Sequence, residues 1–436
     1  MIVISLPHTA MSLKPQIMNC LECASSYGLH SDNIHIEVNR SEWITIKTFE
    51  REIKIVSDLF ASLQSNNKCD FKLNYHNDSY SAAETNHTNI HIGVKSSSPE
   101  GINYQDVWCQ SMDDGGEGVT YSYMPTSDKA NQQHCAWFIS LISQGFCFKD
   151  SLVVSRAALC DVSRETPAHQ KNNTPDWPTN YLDFPKLIGN RRQLSEDSFE
   201  QYNHNYFPQI PKTSFSLYPV VDDILWIRKL LPLGIKIIQL RVKDGNKRDL
   251  EQQIIEAIKL GHEYNAMVFI NDHWQLAIKH GAFGVHLGQE DIEQVDLDRL
   301  IASGIHLGIS SHGYYEVLRA QSYQPSYVAL GHIFATTTKE MPSQPQGLSK
   351  LKLYQNLINS MELASTHERS IPTVAIGGID LGNVSDVMNC GVTCVAVVRA
   401  LTLSESLEDD LEKFQSFSPI ERQEQSSKIG DYDVIR

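Results

Sequence analysis

From residue 216 to about residue 405 the chain alternates between short β-type apolar runs and longer runs with helical spacing. The candidate strands are Leu217–Val221, Lys236–Val242, Met267–Asn271, Gly284–Gly288, His306–Ser310, Tyr327–His332, Thr373–Gly377 and Cys394–Val398. Between them lie amphipathic stretches. In Arg248–Tyr264 the residues Leu250, Ile254, Ile255, Ile258 and Leu260 fall near helical spacing, and Trp274–His280, Tyr314–Gln321 and Leu348–Ala364 read the same way. Strands that alternate with helices pair in parallel, and right-handed crossovers close such a sheet. The pattern predicts an α/β chain with a (β/α)8 TIM barrel over residues 216–420. The loops must be short, because the alternating stretch is smaller than the ~250 residues usual for that fold.

Polar residues stand at or just past the end of each apolar run, and barrels of this kind build active sites on that rim. Gln239, Arg241 and Lys243 alternate, so on a strand they share one face while Ile238, Leu240 and Val242 face the helices. Two buried cations without a partner are costly, and a bound anion supplies one; a solvated edge strand is the alternative. Asp272 closes the third run and Asp291 follows the fourth. Neighbouring strands lie about 4.8 Å apart, so both carboxylates can reach one ion. Such a pair suits Mg2+, which binds one or two carboxylates plus substrate phosphates; helix N-capping is the plain alternative. Thr336, Thr337, Thr338 and Lys339 offer hydroxyls and an ammonium after the sixth run, and Ser310 one hydroxyl on the fifth. Gly377 and Gly378 follow the seventh run, Val398 and Arg399 the eighth, where barrel loops often cradle a phosphate on backbone N–H groups. A Gly-Gly pair is otherwise a simple turn.

Residues 1–165 have weaker periodicity and an Asn/Ser-rich middle, with helices expected at Trp137–Ile142 and Lys149–Leu159. Residues 166–215 hold six of the chain's 17 prolines, which reads as a linker or packing strap, and 421–436 as a polar tail.

The formal net charge is −15, from 37 basic and 52 acidic residues, which argues against nucleic acid as a partner while leaving room for a local phosphate pocket. The longest strongly apolar run, near Ala136–Phe148, is shorter than the ~20 residues of a membrane span, and Met1–Lys14 lacks a basic region ahead of its apolar stretch. A cytoplasmic protein acting on small molecules is expected, with a homo-oligomer left open. The nine cysteines are odd in number and irregularly spaced, which suits reduced thiols; Cys20 and Cys23 form a C-x-x-C that no second pair completes as a zinc site.

The motifs Q-L-R-V-K (239–243), I-N-D (270–272), H-L-G-Q-E-D (286–291), G-I-S-S-H (308–312), T-T-T-K (336–339) and I-G-G-I (376–379) resemble thiamine phosphate synthase over about residues 215–405. The resemblance implies a transferase of thiamine biosynthesis. It joins 4-amino-2-methyl-5-hydroxymethylpyrimidine diphosphate to 4-methyl-5-(2-phosphoethyl)thiazole and releases pyrophosphate. It places Arg241, Lys243, Asn271 and Lys339 on the diphosphate, with Thr336 and Thr338 beside it. Asp272 and Asp291 would hold Mg2+, and Gln239 and Ser310 would contact the pyrimidine or diphosphate. The backbones of Gly378, Val398 and Arg399 would bind the thiazole phosphate. Arg241, Lys243, Lys339 and Ser310 would carry the catalysis. Two residues depart from the pattern: His332 stands where the family tends to have proline and Arg399 where it often has serine. A thiazole tautomerase, which shares the S-x-H element Ser310–His312, and a non-catalytic sensor of thiamine intermediates are the competing readings. Residues 131–160 are similar to the end of hydroxymethylpyrimidine kinases of the ribokinase-like class. Gln133 and His134 replace the glycines ahead of Cys135, so this resemblance implies a smaller, degenerate kinase-like α/β domain over 1–165.

Overall fold

Two units make up the computed structural model: Met1–Gln193 with Gly313–Arg319, and Leu194–His312 with Ala320–Arg436. It describes residues 1–30, 33–61, 69–76, 89–98, 101–109, 117–121, 127–163, 176–188, 206–242, 247–336, 344–364 and 371–417.

The first unit is built on nine strands: β1 (Ile2–Pro7), β2 (Ile34–Asn39), β3 (Ile44–Lys47), β4 (Glu52–Ser57), β5 (Phe71–Asn74), β6 (Asn89–Ser98), β7 (Gly101–Cys109), β8 (Glu117–Tyr121) and β9 (Lys186–Ile188). They form one sheet in the order β2-β1-β3-β4-β5-β6-β7-β8-β9. The β1–β2, β4–β5 and β5–β6 pairs are parallel and the others antiparallel. Helices α1 (Lys14–Ser26), α2 (Asp128–Ser143) and α3 (Phe148–Ser163) belong to the same unit.

Much of this was not legible in the periodicity. Helix α2 runs ten residues beyond the six expected. Every residue from His134 to Ser143 is buried, so no polar stripe marks the helix. Strands β6 and β7 carry Asn, Ser and Gln, a loop-like composition that hid them. Strand β9 pairs with β8 and lies inside the Pro-rich stretch expected to be a linker. The Tyr315 N–H donates to the Asp150 carboxylate of α3 at 2.8 Å, and the Trp177 indole donates to the Tyr314 hydroxyl at 2.8 Å, both within this unit.

A buried ion pair holds the sheet to α3. Asp106 of β7 is 0% exposed and Arg156 of α3 is 1% exposed. The guanidinium donates to the carboxylate at 2.9–3.1 Å, and the Tyr121 hydroxyl and Gly93 N–H donate to the same carboxylate at 2.7 and 2.9 Å. With its acceptors filled, the pair can persist in a dry interior.

In the second unit the eight predicted strands form a closed parallel barrel: β10 (Tyr218–Val221), β11 (Ile237–Leu240), β12 (Met267–Asn271), β13 (Gly284–Leu287), β14 (His306–Ser311), β15 (Tyr327–Gly331), β16 (Thr373–Ile376) and β17 (Cys394–Val397). The sheet closes where β10 pairs with β17. A helix follows every strand: Ile224–Leu230, Lys247–Glu263, Trp274–Lys279, Leu297–Ala302, Tyr314–Ser322 (of which the residues to Arg319 are counted with the first unit), Gly347–Ala364, Val384–Met388 and Arg399–Thr402, with Leu407–Gln415 last. Strand β11 ends at Leu240, so Arg241 lies past the strand rather than on it; its N–H still donates to the Val221 carbonyl at 2.7 Å.

Aromatic rings fill the barrel interior, and two glycines make the room. Phe269 and Tyr327 meet edge to face with centroids 5.2 Å apart, and Tyr218 packs on Tyr327 at 5.7 Å. A Cβ at Gly284 would lie 2.4 Å from the Phe269 ring, and one at Gly308 would lie 2.2 Å from the Tyr327 ring. Neither ring can retreat, because each is 0% exposed and closely packed.

Two outcomes follow. Gly308→Ala should destabilise the barrel by about 1–3 kcal/mol through overpacking, read as a lower midpoint in chemical denaturation; an unchanged midpoint contradicts this packing. Asp106→Ala should cost about 3–5 kcal/mol by leaving the Arg156 charge buried and unpaired, and a loss below 1 kcal/mol would show that water reaches Arg156.

Candidate active site

Side chains alternate along each strand, so one of every two faces the barrel axis. Gln239, Phe269, Asn271, His286, Ser310 and Tyr327 share that inward set. At the carboxyl ends of the strands it opens into a cavity of about 540 Å³, a size suited to a small ligand.

Most of the candidate site residues singled out in the sequence line this cavity. Gln239 and Asn271 enter from β11 and β12, nearly buried at 4% and 8% exposure. Arg241, Asp272 and Asp291 stand on the loops after β11, β12 and β13, and Ser310 lies on β14. Thr336 follows β15, Gly378 follows β16, and Val398 and Arg399 follow β17. Lys243, Thr338 and Lys339 lie outside the described residues.

The two carboxylates do not cap helices. His273 is the N-cap residue of Trp274–Lys279, and Asp296 caps Leu297–Ala302 by accepting from the Arg299 N–H. Asp272 instead takes a left-handed backbone, φ 61°, uncommon for a residue other than glycine. Such strained positions cluster at functional sites. Asp291 accepts from the Gly288 N–H at 3.1 Å, which fixes its carboxylate. Loss of water around the Asp272 carboxyl raises its pKa, the facing Asp291 raises it further, and Arg241 opposes both. Two carboxylates at a cavity mouth are the oxygen donors that would hold a divalent ion there. Among the described residues no third His, Cys, Asp or Glu joins them, so the remaining ligands of such an ion would be substrate oxygens and water.

Gly377 and Gly378 have φ of 106° and 65°, and a Cβ on either would lie 2.4–2.8 Å from residues 332–335. The pair is thus a required turn, and that turn also brings the Gly378 backbone to the cavity. The Asn383 amide donates to the Gly378 carbonyl at 2.9 Å and secures it. Gln346, unremarked in the sequence, donates to the carbonyls of Gly331 and His312 and so ties together the ends of β15 and β14. His332 also lines the cavity. Burial, then the nearby His312, holds its pKa below the usual value, and its Nδ1 has no hydrogen-bond partner among the described residues.

The residues most readily missed are His286, Tyr218 and Tyr327. The Gln239 amide donates to the Tyr218 hydroxyl at 3.4 Å, which lies 2.8 Å from that of Tyr327. Tyr327 Oη is 2.7 Å from His286 Nδ1, and His286 Nε2 is 2.8 Å from Ser310 Oγ. His286 could have been noticed as a polar residue inside the apolar run G-V-H-L, in phase with the inward set.

In the first unit Cys135 and His134 are buried, at 0% and 1% exposure. The Tyr75 hydroxyl lies 2.9 Å from His134 Nδ1, and burial holds the His134 pKa well below its usual value. Burial pushes the Cys135 thiol up to about 12. Cys20 and Cys23 are likewise buried in α1 with raised pKa values.

The family model for thiamine monophosphate synthase matches residues 217–401. A thiamine-phosphate synthase of Proteus mirabilis is 58% identical over 186 residues, 43% of this chain and 82% of that protein. One of Yersinia pestis is 50% identical over 199 residues, 45% of this chain and 88% of that protein. A solved thiamine phosphate pyrophosphorylase from Pyrococcus furiosus is 27% identical, spans 47% of this chain and 96% of that one, and has a TM-score of 0.40. With the barrel matched at this identity over most of its relatives' length, the chain belongs to the thiamine-phosphate synthase family.

Proposed function

We infer that the barrel condenses hydroxymethylpyrimidine diphosphate with thiazole phosphate, giving thiamine phosphate and pyrophosphate. The observation that carries this reading is the convergence of Arg241, Asn271, Asp272, Asp291 and Ser310 on one cavity in a chain of this family. Lys243, Asp272, Asp291 and Lys339 favour the synthase over a tautomerase, which handles no diphosphate, and pyrophosphate release separates the synthase from a sensor.

In the reaction the C–O bond to the diphosphate breaks and its electron pair leaves with the pyrophosphate. The amino group of the pyrimidine feeds electrons toward the methylene carbon. The thiazole nitrogen then forms the new C–N bond with its own lone pair, so no protein base is required. What the protein supplies is fixed charge for the leaving group. Arg241 at the end of β11, with Lys243 and Lys339, stabilises the negative charge that develops on pyrophosphate, a preorganised electrostatic effect. Asn271, Thr336 and Thr338 add neutral donors to the same oxygens, and Gln239 contacts the pyrimidine. The backbones of Gly378, Val398 and Arg399 hold the thiazole phosphate. Asp272 and Asp291 would hold Mg2+, which when bound adds divalent charge beside the diphosphate.

The first unit is proposed to be a degenerate ribokinase-like domain without kinase activity. The burial of His134 and Cys135, where that class offers an open anion cradle, supports this.

The full chain mixed with both substrates and Mg2+ should release pyrophosphate, and a chelator should abolish the release. Lys339→Ala should lower kcat by roughly a hundredfold, the size of effect seen when one charge-stabilising donor is lost. An unchanged rate contradicts its place on the leaving group.

The raised pKa of Asp272 also sets a pH dependence. A carboxyl with a raised pKa takes up its proton at a higher pH than an ordinary aspartate, and only its ionised form binds a cation. Mn2+ affinity, followed by electron paramagnetic resonance, should therefore weaken as the pH falls through that raised value. Asp291→Asn should shift the Asp272 titration back toward lower pH while weakening the site. Mn2+ affinity independent of pH across this range would remove the carboxylate pair from the account.

A further inference from the structure

We propose that Tyr218, Tyr327 and His286 form a positioning chain that fixes which imidazole nitrogen carries the proton, and so makes Ser310 a hydrogen-bond donor to the pyrimidine diphosphate. This rests on the synthase reading of the cavity.

The orientation of the Gln239 amide sets the polarity of the chain. Gln239 turns its amide Nε2, a donor only, toward Tyr218 Oη at 3.4 Å. Tyr218 accepts there and gives its single hydrogen to Tyr327 Oη at 2.8 Å. Tyr327 also has one hydrogen, and its contact of 2.7 Å with His286 Nδ1 takes it. Nδ1 is then an acceptor, and a neutral imidazole carries its proton on the other nitrogen. Nε2–H donates to Ser310 Oγ at 2.8 Å. Ser310 accepts from the ring, and its own hydrogen is available to the cavity that it lines. The opposite polarity would need the Gln239 amide turned over, with its oxygen toward the Tyr218 hydroxyl, and the nitrogen spectrum of His286 tells the two apart.

The setting favours a fixed device over a mobile one. Tyr218 and Tyr327 are 1% and 0% exposed, and His286 is 7% exposed. Gly308 leaves the space that the Tyr327 ring occupies. The Ser310 carbonyl accepts from the Gln289 amide at 2.6 Å, so the backbone that carries the hydroxyl is held as well. A serine unable to turn its hydrogen inward is complementary to an acceptor on the substrate, a ring nitrogen or a diphosphate oxygen. It pays no reorientation when the substrate arrives.

The test has two readouts. The first is the 15N spectrum of His286 in the full chain without substrates. Nδ1 should give the downfield signal of an unprotonated nitrogen and Nε2 the upfield signal of an N–H, and Tyr327→Phe should blur this into a mixture of tautomers. The second is a kinetic cycle on pyrophosphate release. Ser310→Ala should lower kcat on the order of tenfold, the worth of one hydrogen bond to a charged or strongly polar acceptor. Tyr327→Phe should cost less, without changing KM for the thiazole phosphate. The double variant should be no slower than Ser310→Ala alone, because the tyrosine acts only through the serine. Multiplying losses would mean that Tyr327 merely supports the barrel, and that result overturns the proposal. The wild-type spectrum needs no variant and decides the polarity even if Tyr327→Phe unfolds. A wild-type chain that releases pyrophosphate while carrying the proton on Nδ1 overturns the positioning chain alone; one that releases none overturns the synthase reading.

Discussion

Strand alternation in a closed parallel sheet is the constraint on which the rest depends. Eight short strands can bury an aromatic interior and still present polar groups at one mouth, because every second residue points to the axis and all eight strands run the same way. Phe269 and Tyr327 fill the interior, and the next inward residues above them, Asn271 and Ala329, line the cavity. Stability and chemistry are thus stacked along the same strands. Gly284 and Gly308 belong to both, since their missing side chains let the rings close the core beneath the site.

The electrostatics at the mouth follow from this arrangement. Burial raises the pKa of Asp272 most, Asp291 raises it further, and Arg241 pulls it back. Such mutual opposition is unfavourable in an empty site, and on the proposed reading a divalent cation with an anionic ligand would relieve it. The left-handed backbone of Asp272 has the same character, a local cost held in place by the surrounding barrel. In a chain carrying a net charge of −15, Arg241 and Arg399 put positive charge at the cavity, which on the proposed reading would favour an anionic substrate there.

The barrel was legible in the sequence because its strands are continuous apolar runs and its helices are amphipathic, so two periodicities alternate cleanly. The rim residues were legible because each interrupts or ends such a run. The capping alternative for Asp272 and Asp291 needed coordinates, since only the observed caps, His273 and Asp296, remove it. His286, Tyr218 and Tyr327 were passed over because a histidine or tyrosine inside an apolar run reads as core. They are core residues, but their polar atoms meet. The first unit was least legible. Helix α2 is buried along its second half and shows no stripe, and Asp106 and Arg156 lie fifty residues apart in sequence, beyond any local pattern.

The most direct measurement is anomalous diffraction from crystals of the full chain grown with Mn2+ and inorganic pyrophosphate. The account predicts a manganese peak bound by carboxylate oxygens of both Asp272 and Asp291, with pyrophosphate beside it against Arg241. Manganese bound elsewhere, or pyrophosphate seated away from the barrel mouth, would contradict it.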